Sequence, residues 1–270
     1  EYPFGPIIPA LYGQVARRYM HEYDLSEEDF ADVAVAQQEW GRRHPHAAKA
    51  RFGAIDRADV LASPYVATPL RRWMCSTWGG GPAGAFIVTS VENARQADKP
   101  LYIRGFGSCA THEYLSERMG IHQMPFAADF GALPNLTHSG VREAARQAYA
   151  MAGMTASDMD MVQMSANFSH MALLLLEDLG FAEKGRAIEL YRQGRLTPGG
   201  DLPCDTNGGW LSFGQPGISC DMDTMVEGAR QLRGEALGLQ VPGRPKTAIL
   251  QGAGGMMACN GVTILSTEAA

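Results

Sequence analysis

The chain has 270 residues, 46% of them hydrophobic and 19% charged, with a net charge of −6. That is the composition of a globular protein with room for a large core and two structural units, and it excludes a disordered chain. No basic block or aromatic run points to nucleic acid, and the longest apolar cluster, Met171–Leu176, falls far short of the ~20 residues a membrane span needs.

Apolar spacing predicts a helix over residues 8–22 and a second over 26–44. Ser26 with Asp29 forms a capping-box-like start for the second, and His44-Pro45-His46 ends it. The two histidines invite a metal reading, but no carboxylate stands at ligand spacing, so a solvent-exposed turn is expected. Residues 51–73 read as irregular, apart from a helical stretch around Asp56–Ala62. Cys75–Gly84 is Gly-rich, Ala85–Ser90 is an apolar run suited to a buried strand, and Glu92–Ala97 reads as a helix. Pro100 breaks the chain before a strand at Leu101–Gly105, which marks a candidate domain boundary.

Residues 106–135 are loop-rich. A helix at 139–152 stops at Gly153, and Thr155–Asp158 starts a short helical turn. Asp160–Met164 reads as a strand and Asn167–Gly180 as a strongly apolar helix. A further helix at 183–194 precedes the turn Pro198-Gly199-Gly200. Residues 205–220, DTNGGWLSFGQPGISC, crowd glycines and a proline around the bulky Trp210, then feed a helix at 221–237. The strand Thr247–Leu250 leads into the turn QGAGG at 251–255, and Met256–Ser266 returns as a strand. Strands alternating with helices predict an α/β fold built in layers.

Three of these segments carry candidate chemistry, each at a strand end or helix start, where open α/β sheets bind ligands. They are Ser165–His170, the loop Asn207–Cys220, and Gly252–Gly255. A Gly-rich loop at a helix N-terminus presents backbone N–H groups to an anion or a developing oxyanion, though it can equally be plain punctuation. Ser165 and Asn167 could polarise a carbonyl, or could cap the following helix. His170, three positions beyond Asn167, could be a base or a satisfied, partly buried histidine. The five cysteines (75, 109, 204, 220 and 259) show no CxxC pair or metal-ligand spacing. Reduced thiols in a cytoplasmic protein are expected, with no metal. Several of the fourteen methionines, including Met161, Met164, Met171, Met256 and Met257, fall near these segments. They suit core packing or a pocket for a bulky apolar group. No GxGxxG follows a strand and no phosphate-loop lysine occurs, so a nucleotide-binding reading is weak. The chain opens Glu1-Tyr2-Pro3-Phe4, with neither Met nor a signal-peptide pattern, as a section of a longer product would.

These motifs, in this order, resemble the thiolase superfamily, in its sterol-carrier and lipid-transfer-protein branch. That branch carries a stretch like "NTSGGLLSxGHPxG", which stands here as Asp205-Thr206-Asn207-Gly208-Gly209-Trp210-Leu211-Ser212-Phe213-Gly214-Gln215-Pro216-Gly217. The family's LEDLGF string is Leu176–Phe181, and its late Gly-rich turn before a last strand matches Gly252–Leu265. RRYMHEY (17–23), DVLASPYVATPLR (59–71) and FIVTSVENAR (86–95) are softer matches. The resemblance implies a thiolase-like layered α/β/α/β/α fold, of which this chain supplies the latter part. Residues 1–98 would form the excursion and final strand-helix of the first half, and 99–270 the C-terminal thiolase-like domain.

The resemblance implies action on a CoA thioester, with no tightly bound cofactor, and C–C bond formation or cleavage by acyl transfer or retro-aldol chemistry. The family's nucleophilic cysteine would fall before Glu1. The family's GHP histidine is Gln215 here, and the strand-to-helix motif reads Ser165, Ala166, Asn167 before Phe168. Ala253 stands in the late turn, and Cys259 lies further along. An amide donates a hydrogen bond but moves no proton near neutral pH. Gln215, Asn167, Ser165 and His170 are therefore the expected catalytic positions, with Ser165, His170 or Cys220 left to transfer protons. Gly214, Trp210, Gly254, Gly255 and Met256 are the expected substrate-binding positions. Arg186, Arg192 and Arg195 could meet CoA phosphates, though a solvated helix face explains them as well. The alternative is a degenerate thiolase-like subunit that supports an active partner. Homo- or hetero-oligomers with a thiolase-like chain are expected, and so is a small OB-fold, zinc-ribbon partner.

Overall fold

A computed structural model describes residues 7–77, 84–118, 135–215, 217 and 221–269, and the side chains of all of these except Ser116 and Glu117. Its first helices fall where the apolar spacing puts them. In α1 (Ile8–Tyr23) Tyr12, Val15, Ala16 and Tyr19 form one buried stripe. In α2 (Glu27–Gly41) the Ser26 N–H donates to Asp29 Oδ2 at 2.9 Å, which is the expected capping-box bond. The helix α3 (Arg57–Ala62) starts at Asp56, whose Oδ1 accepts from Asp59 N at 2.9 Å. A short hairpin, β1 (Tyr65–Ala67) and β2 (Leu70–Arg71), follows.

The central sheet has the order β3-β6-β5-β4. It comprises β3 (Tyr102–Ala110), β4 (Met161–Met164), β5 (Thr247–Gly254) and β6 (Cys259–Ser266). Only the β4–β5 pair is parallel. Alternate side chains sort to its two faces. Val162, Met164, Ile249, Val262 and Ile264 join the larger core, which contains α6 (Val141–Ala152) and α7 (Ser169–Asp178). Met161, Ala248, Leu250 and Leu265 pack with Leu232 of α10 (Asp221–Arg233) on the opposite side. Helices thus cover both faces, the layered arrangement that the alternation of elements predicts. Close approach of α6 to the sheet depends on Gly107: a Cβ there would lie 2.1 Å from Ala144 O. All ten residues of α7 are buried, as an all-round apolar helix requires.

Several expectations need correction. Residues 85–90 form no strand, and Ile87 is 95% exposed. An apolar run becomes a strand only beside a hydrogen-bonding neighbour, and among the described residues none pairs with it. The helix of this region, α4, is confined to Val91–Ala94. The strand at 101–105 runs on to Ala110, because β6 pairs with it along its whole length, and α5 (Leu115–Arg118) follows. QGAGG is not a turn: Gln251–Gly254 continue β5, and the turn is Gly255–Ala258. The helix at 183–194 shrinks to α8 (Ile188–Arg192), and α10 ends at Arg233 rather than 237. His44 is buried, edge-on to Phe213 at 4.9 Å, so only His46 is exposed as the turn reading expects. Among the described residues no group of three metal-ligating side chains occurs, and no helix is long and apolar enough to cross a membrane.

Candidate functional site

Three chain segments meet at the C-terminal ends of the parallel pair β4 and β5. The first leaves β4 through Ser165, Ala166 and Asn167 and enters α7. The second carries the short helix α9 (Gly209–Ser212) and Gln215. It is anchored by Asp205, which accepts from Met164 N and from Gln37 Nε2, each at 2.7 Å. The third is the end of β5 and the turn Gly255–Ala258.

A strap at residues 75–77, which the sequence reading did not single out, ties the first two together. Ser76 N donates to Asn167 O at 2.8 Å, and Thr77 N donates to Trp210 O at 3.0 Å. Gln215 N donates back to Thr77 O at 2.8 Å. The backbones of Asn167 and Gln215 are therefore both tied to one short segment.

These segments line a cavity of about 2010 Å³. Ser165, Asn167, Trp210, Gln215, Gly254, Gly255 and Met256 all reach it, whereas Gly214 and His170 do not line it. The His170 ring is fully buried between Phe30, Phe168 and Tyr12, and neither nitrogen has a hydrogen-bond partner. It is thus neither a cavity base nor a satisfied histidine. Burial alone pushes its pKa down to about 3, so it stays neutral. Cys220 and Pro216 lie outside the described residues. Ser165 and Asn167 do not cap α7, whose N-cap is Phe168 with no side-chain cap bond.

Instead the Ser165 hydroxyl donates to Asp221 Oδ1 and, at 3.1 Å, to Gln251 O. Asp221 opens α10 and lines the cavity, and its Oδ1 also accepts from Ala253 N at 3.1 Å. Burial pushes its carboxyl up, against those two bonds. A second overlooked residue is Tyr12 of α1, also on the cavity wall. Burial pushes its phenol up to about 12, although Asn167 and the Met257 backbone both favour ionisation, so it remains a neutral donor. Their sequence signals were weak: an acid at a helix start reads as a dipole partner, and Tyr12 reads as one member of a core stripe. Cys75 also faces the cavity, but burial pushes its thiol up to about 12, which leaves it un-ionised.

Further along the wall stand Lys49, Arg51 and Arg72, together with Trp73 and Phe52. Lys49 Nζ lies 4.8 Å from the Trp73 ring centroid and donates to Cys75 O at 3.4 Å. Burial pushes its pKa down to about 8. Phe52 and Trp73 meet edge-on at 5.7 Å. Arg186, Arg192 and Arg195 do not line the cavity and are paired with Glu189, Asp29 and Asp201.

With this geometry in hand, comparison with known proteins is informative. A family model described as Thiolase C-terminal domain-like matches residues 127–267. The chain is 32% identical to an acetyl-CoA acetyltransferase of Methanothermobacter thermautotrophicus, over 88% of its own length and 58% of that protein. It is 33% identical, with the same two coverages, to a 17-hydroxy-3-oxo-4-pregnene-20-carboxyl-CoA lyase of Mycobacterium tuberculosis. Among solved structures, an Ltp2-ChsH2(DUF35) aldolase superposes with a TM-score of 0.81 at 26% identity, over 98% of this chain and 65% of that one. The chain therefore spans somewhat under two thirds of the relatives it matches.

Proposed function

Because the chain belongs to the thiolase superfamily, as a relative of its sterol-carrier-protein-like members, we propose that it acts on a CoA thioester and makes or breaks the carbon–carbon bond next to the thioester carbonyl. The observation that carries this reading is the composition of that cavity. One part of its wall holds the amides Asn167 and Gln215, whose backbones are tied to the 75–77 strap, and another holds three cations beside two aromatic rings. Preorganised donors that do not titrate suit a thioester oxygen whose charge grows as an enolate forms. Cations with aromatic faces suit phosphates and an adenine ring. The names of relatives of both acyltransferase and aldolase type support C–C chemistry at a CoA ester.

The Met256 and Met257 turn and Trp210 suit a bulky acyl group. Assembly with a second thiolase-like chain, or with an OB-fold, zinc-ribbon protein, is part of the same proposal, as is a cytoplasmic location. It is supported by a structural neighbour whose name joins Ltp2 to ChsH2(DUF35). The division of the chain near residue 98 is retained as a proposal as well.

The test is direct. Gln215→Ala and Asn167→Ala, separately, should lower turnover of an acyl-CoA panel by about 10²-fold each, the usual loss of one oxyanion donor. Turnover unchanged in both variants for every thioester would refute the site.

A second reading is favoured by one feature: no histidine lines the cavity among the described residues, and the Cys75 thiol is held protonated. The chain would then be a degenerate subunit that binds thioester while a partner reacts. A homo-oligomer of this chain alone with robust acyl-CoA turnover would end that reading.

A further inference from the structure

The donors at 167 and 215 can hold an oxyanion, but C–C chemistry next to a thioester also needs a group that gives and takes a proton. Of the two acids on the cavity wall, Glu113 and Asp221, it is Asp221 that is bonded to the strand-to-helix junction. Its carboxyl is fixed from two sides. The Ser165 hydroxyl and the Ala253 N–H both donate to Oδ1, and Gly252 allows the approach: a Cβ at 252 would lie 3.1 Å from Asp221 Cγ. Among the described residues both hydrogen bonds are accepted by Oδ1, and neither by Oδ2.

The other raised carboxyls nearby are differently disposed. Asp205 has both oxygens bonded to protein donors, Asp223 takes Trp210 Nε1 at 3.3 Å and Thr224 N at 2.9 Å, and neither lines the cavity. Burial raises the Asp221 carboxyl above the ordinary carboxylate value, against its two hydrogen bonds, and a raised carboxyl is the stronger base.

We propose that Asp221 is the catalytic acid/base of this cavity, with Ser165 as its positioning residue; this rests on the CoA-thioester reading above. In the cleaving direction the Asp221 carboxylate takes the proton of a β-hydroxyl group. The β-oxygen becomes a carbonyl, the Cα–Cβ bond breaks, and its electron pair passes into the thioester enolate held by Asn167 and Gln215. Asp221 then returns that proton to the α-carbon, which restores the carboxylate and consumes no co-reactant. In the reverse sense the same carboxylate removes an α-proton from an acyl-CoA.

The experiment measures two quantities on the same samples. Calorimetry gives the affinity for acetyl-CoA, butyryl-CoA and phenylacetyl-CoA, and proton NMR in D2O gives exchange of their α-protons. The wild-type chain should bind at least one thioester and exchange its α-protons. Asp221→Asn should bind within about threefold but lose exchange by about 10²-fold or more, and Asp221→Glu should recover part of it. Ser165→Ala should slow exchange without changing affinity, and Ser165→Thr, which keeps the hydroxyl, should restore it. Thermal unfolding confirms that each variant is folded. Exchange by Asp221→Asn within about threefold of wild type overturns the role of Asp221. Binding without exchange by the wild type also overturns it and leaves the thioester reading standing. Absence of binding to any thioester overturns the thioester reading, and this inference falls with it.

Discussion

Gly208 packs backbone to backbone behind the candidate site, and Gly208→Ala tests how the loop is held. Its φ is +103°, outside what an L-residue adopts without strain, and a left-handed backbone costs a non-glycine about 1–2 kcal/mol. The added Cβ would also lie 2.6 Å from Gly41 Cα and 2.9 Å from Gly41 N. These are backbone atoms of α2, so no side chain can swing aside. Either α2 or α9 must move, and forcing extra volume into a packed site costs about 1–3 kcal/mol. The two effects together predict a loss of about 2–5 kcal/mol.

Gly153→Ala separates the contributions, because Gly153, just past α6, has a left-handed backbone (φ +64°, ψ +32°) with nothing within 4 Å of a new Cβ. It should show the backbone strain alone, about 1–2 kcal/mol. Urea unfolding followed by circular dichroism measures both. The displaced α9 carries Trp210, so Gly208→Ala should weaken acyl-CoA binding as well, whereas Gly153→Ala should not. Equal losses of stability in the two variants would refute the claim that α2 and α9 are in unyielding contact.

Other outcomes follow from buried polar groups and from the exposed apolar stretch. Burial raises Asp205 to about 8, and Asp223 and Glu177 to about 7. Acids raised in the folded state stabilise it fully below their unfolded values near 4, and that stabilisation is lost as pH rises toward 7–8. The urea midpoint should therefore fall between about pH 4.5 and 8, and Asp205→Asn should flatten the fall; an unchanged slope would place the effect elsewhere. Tyr19 donates its hydroxyl to the buried Glu177, whose Oε2 has no hydrogen-bond partner. Tyr19→Phe should therefore cost about 1–3 kcal/mol, read from the same unfolding curves. Ile87 packs against almost nothing, so Ile87→Lys should change stability by less than about 0.5 kcal/mol.

What the sequence disclosed depends on whether the deciding interaction is local. Ser26 with Asp29 and the stop at Gly153 were legible because each is settled within about four residues. The apolar stripe of α1 and the all-round apolar α7 were legible because helical periodicity needs no partner to be seen. Strand extents were not. Residues 85–90 have the right composition and no strand partner among the described residues, whereas residues 106–110 and 251–254 have unpromising composition and full partners. Pairing is a long-range event, and it overrides propensity in both directions.

The candidate site divides along the same line. Ser165, Asn167, Trp210 and Gln215 could be picked out because they stand in motifs, and the cavity does gather them. Asp221 and Tyr12 could not, since what distinguishes them is contact with residues 56 and 155 positions away, through Ser165 and Asn167. That separation alters the chemistry read from the motif. Judged by residues 165, 167, 215 and 253 alone, the site has lost every group able to move a proton, and degeneracy follows. With Asp221 against Ser165 and Ala253, a carboxylate borders the ground those side chains vacated. Asp221 is half-buried on the cavity wall with its two hydrogen bonds on one oxygen, and partial burial with a raised carboxyl is the environment that a proton-transferring acid needs. On the reading proposed above, Asn167 and Gln215 would hold charge and Asp221 would move the proton, dividing work that one histidine could perform alone.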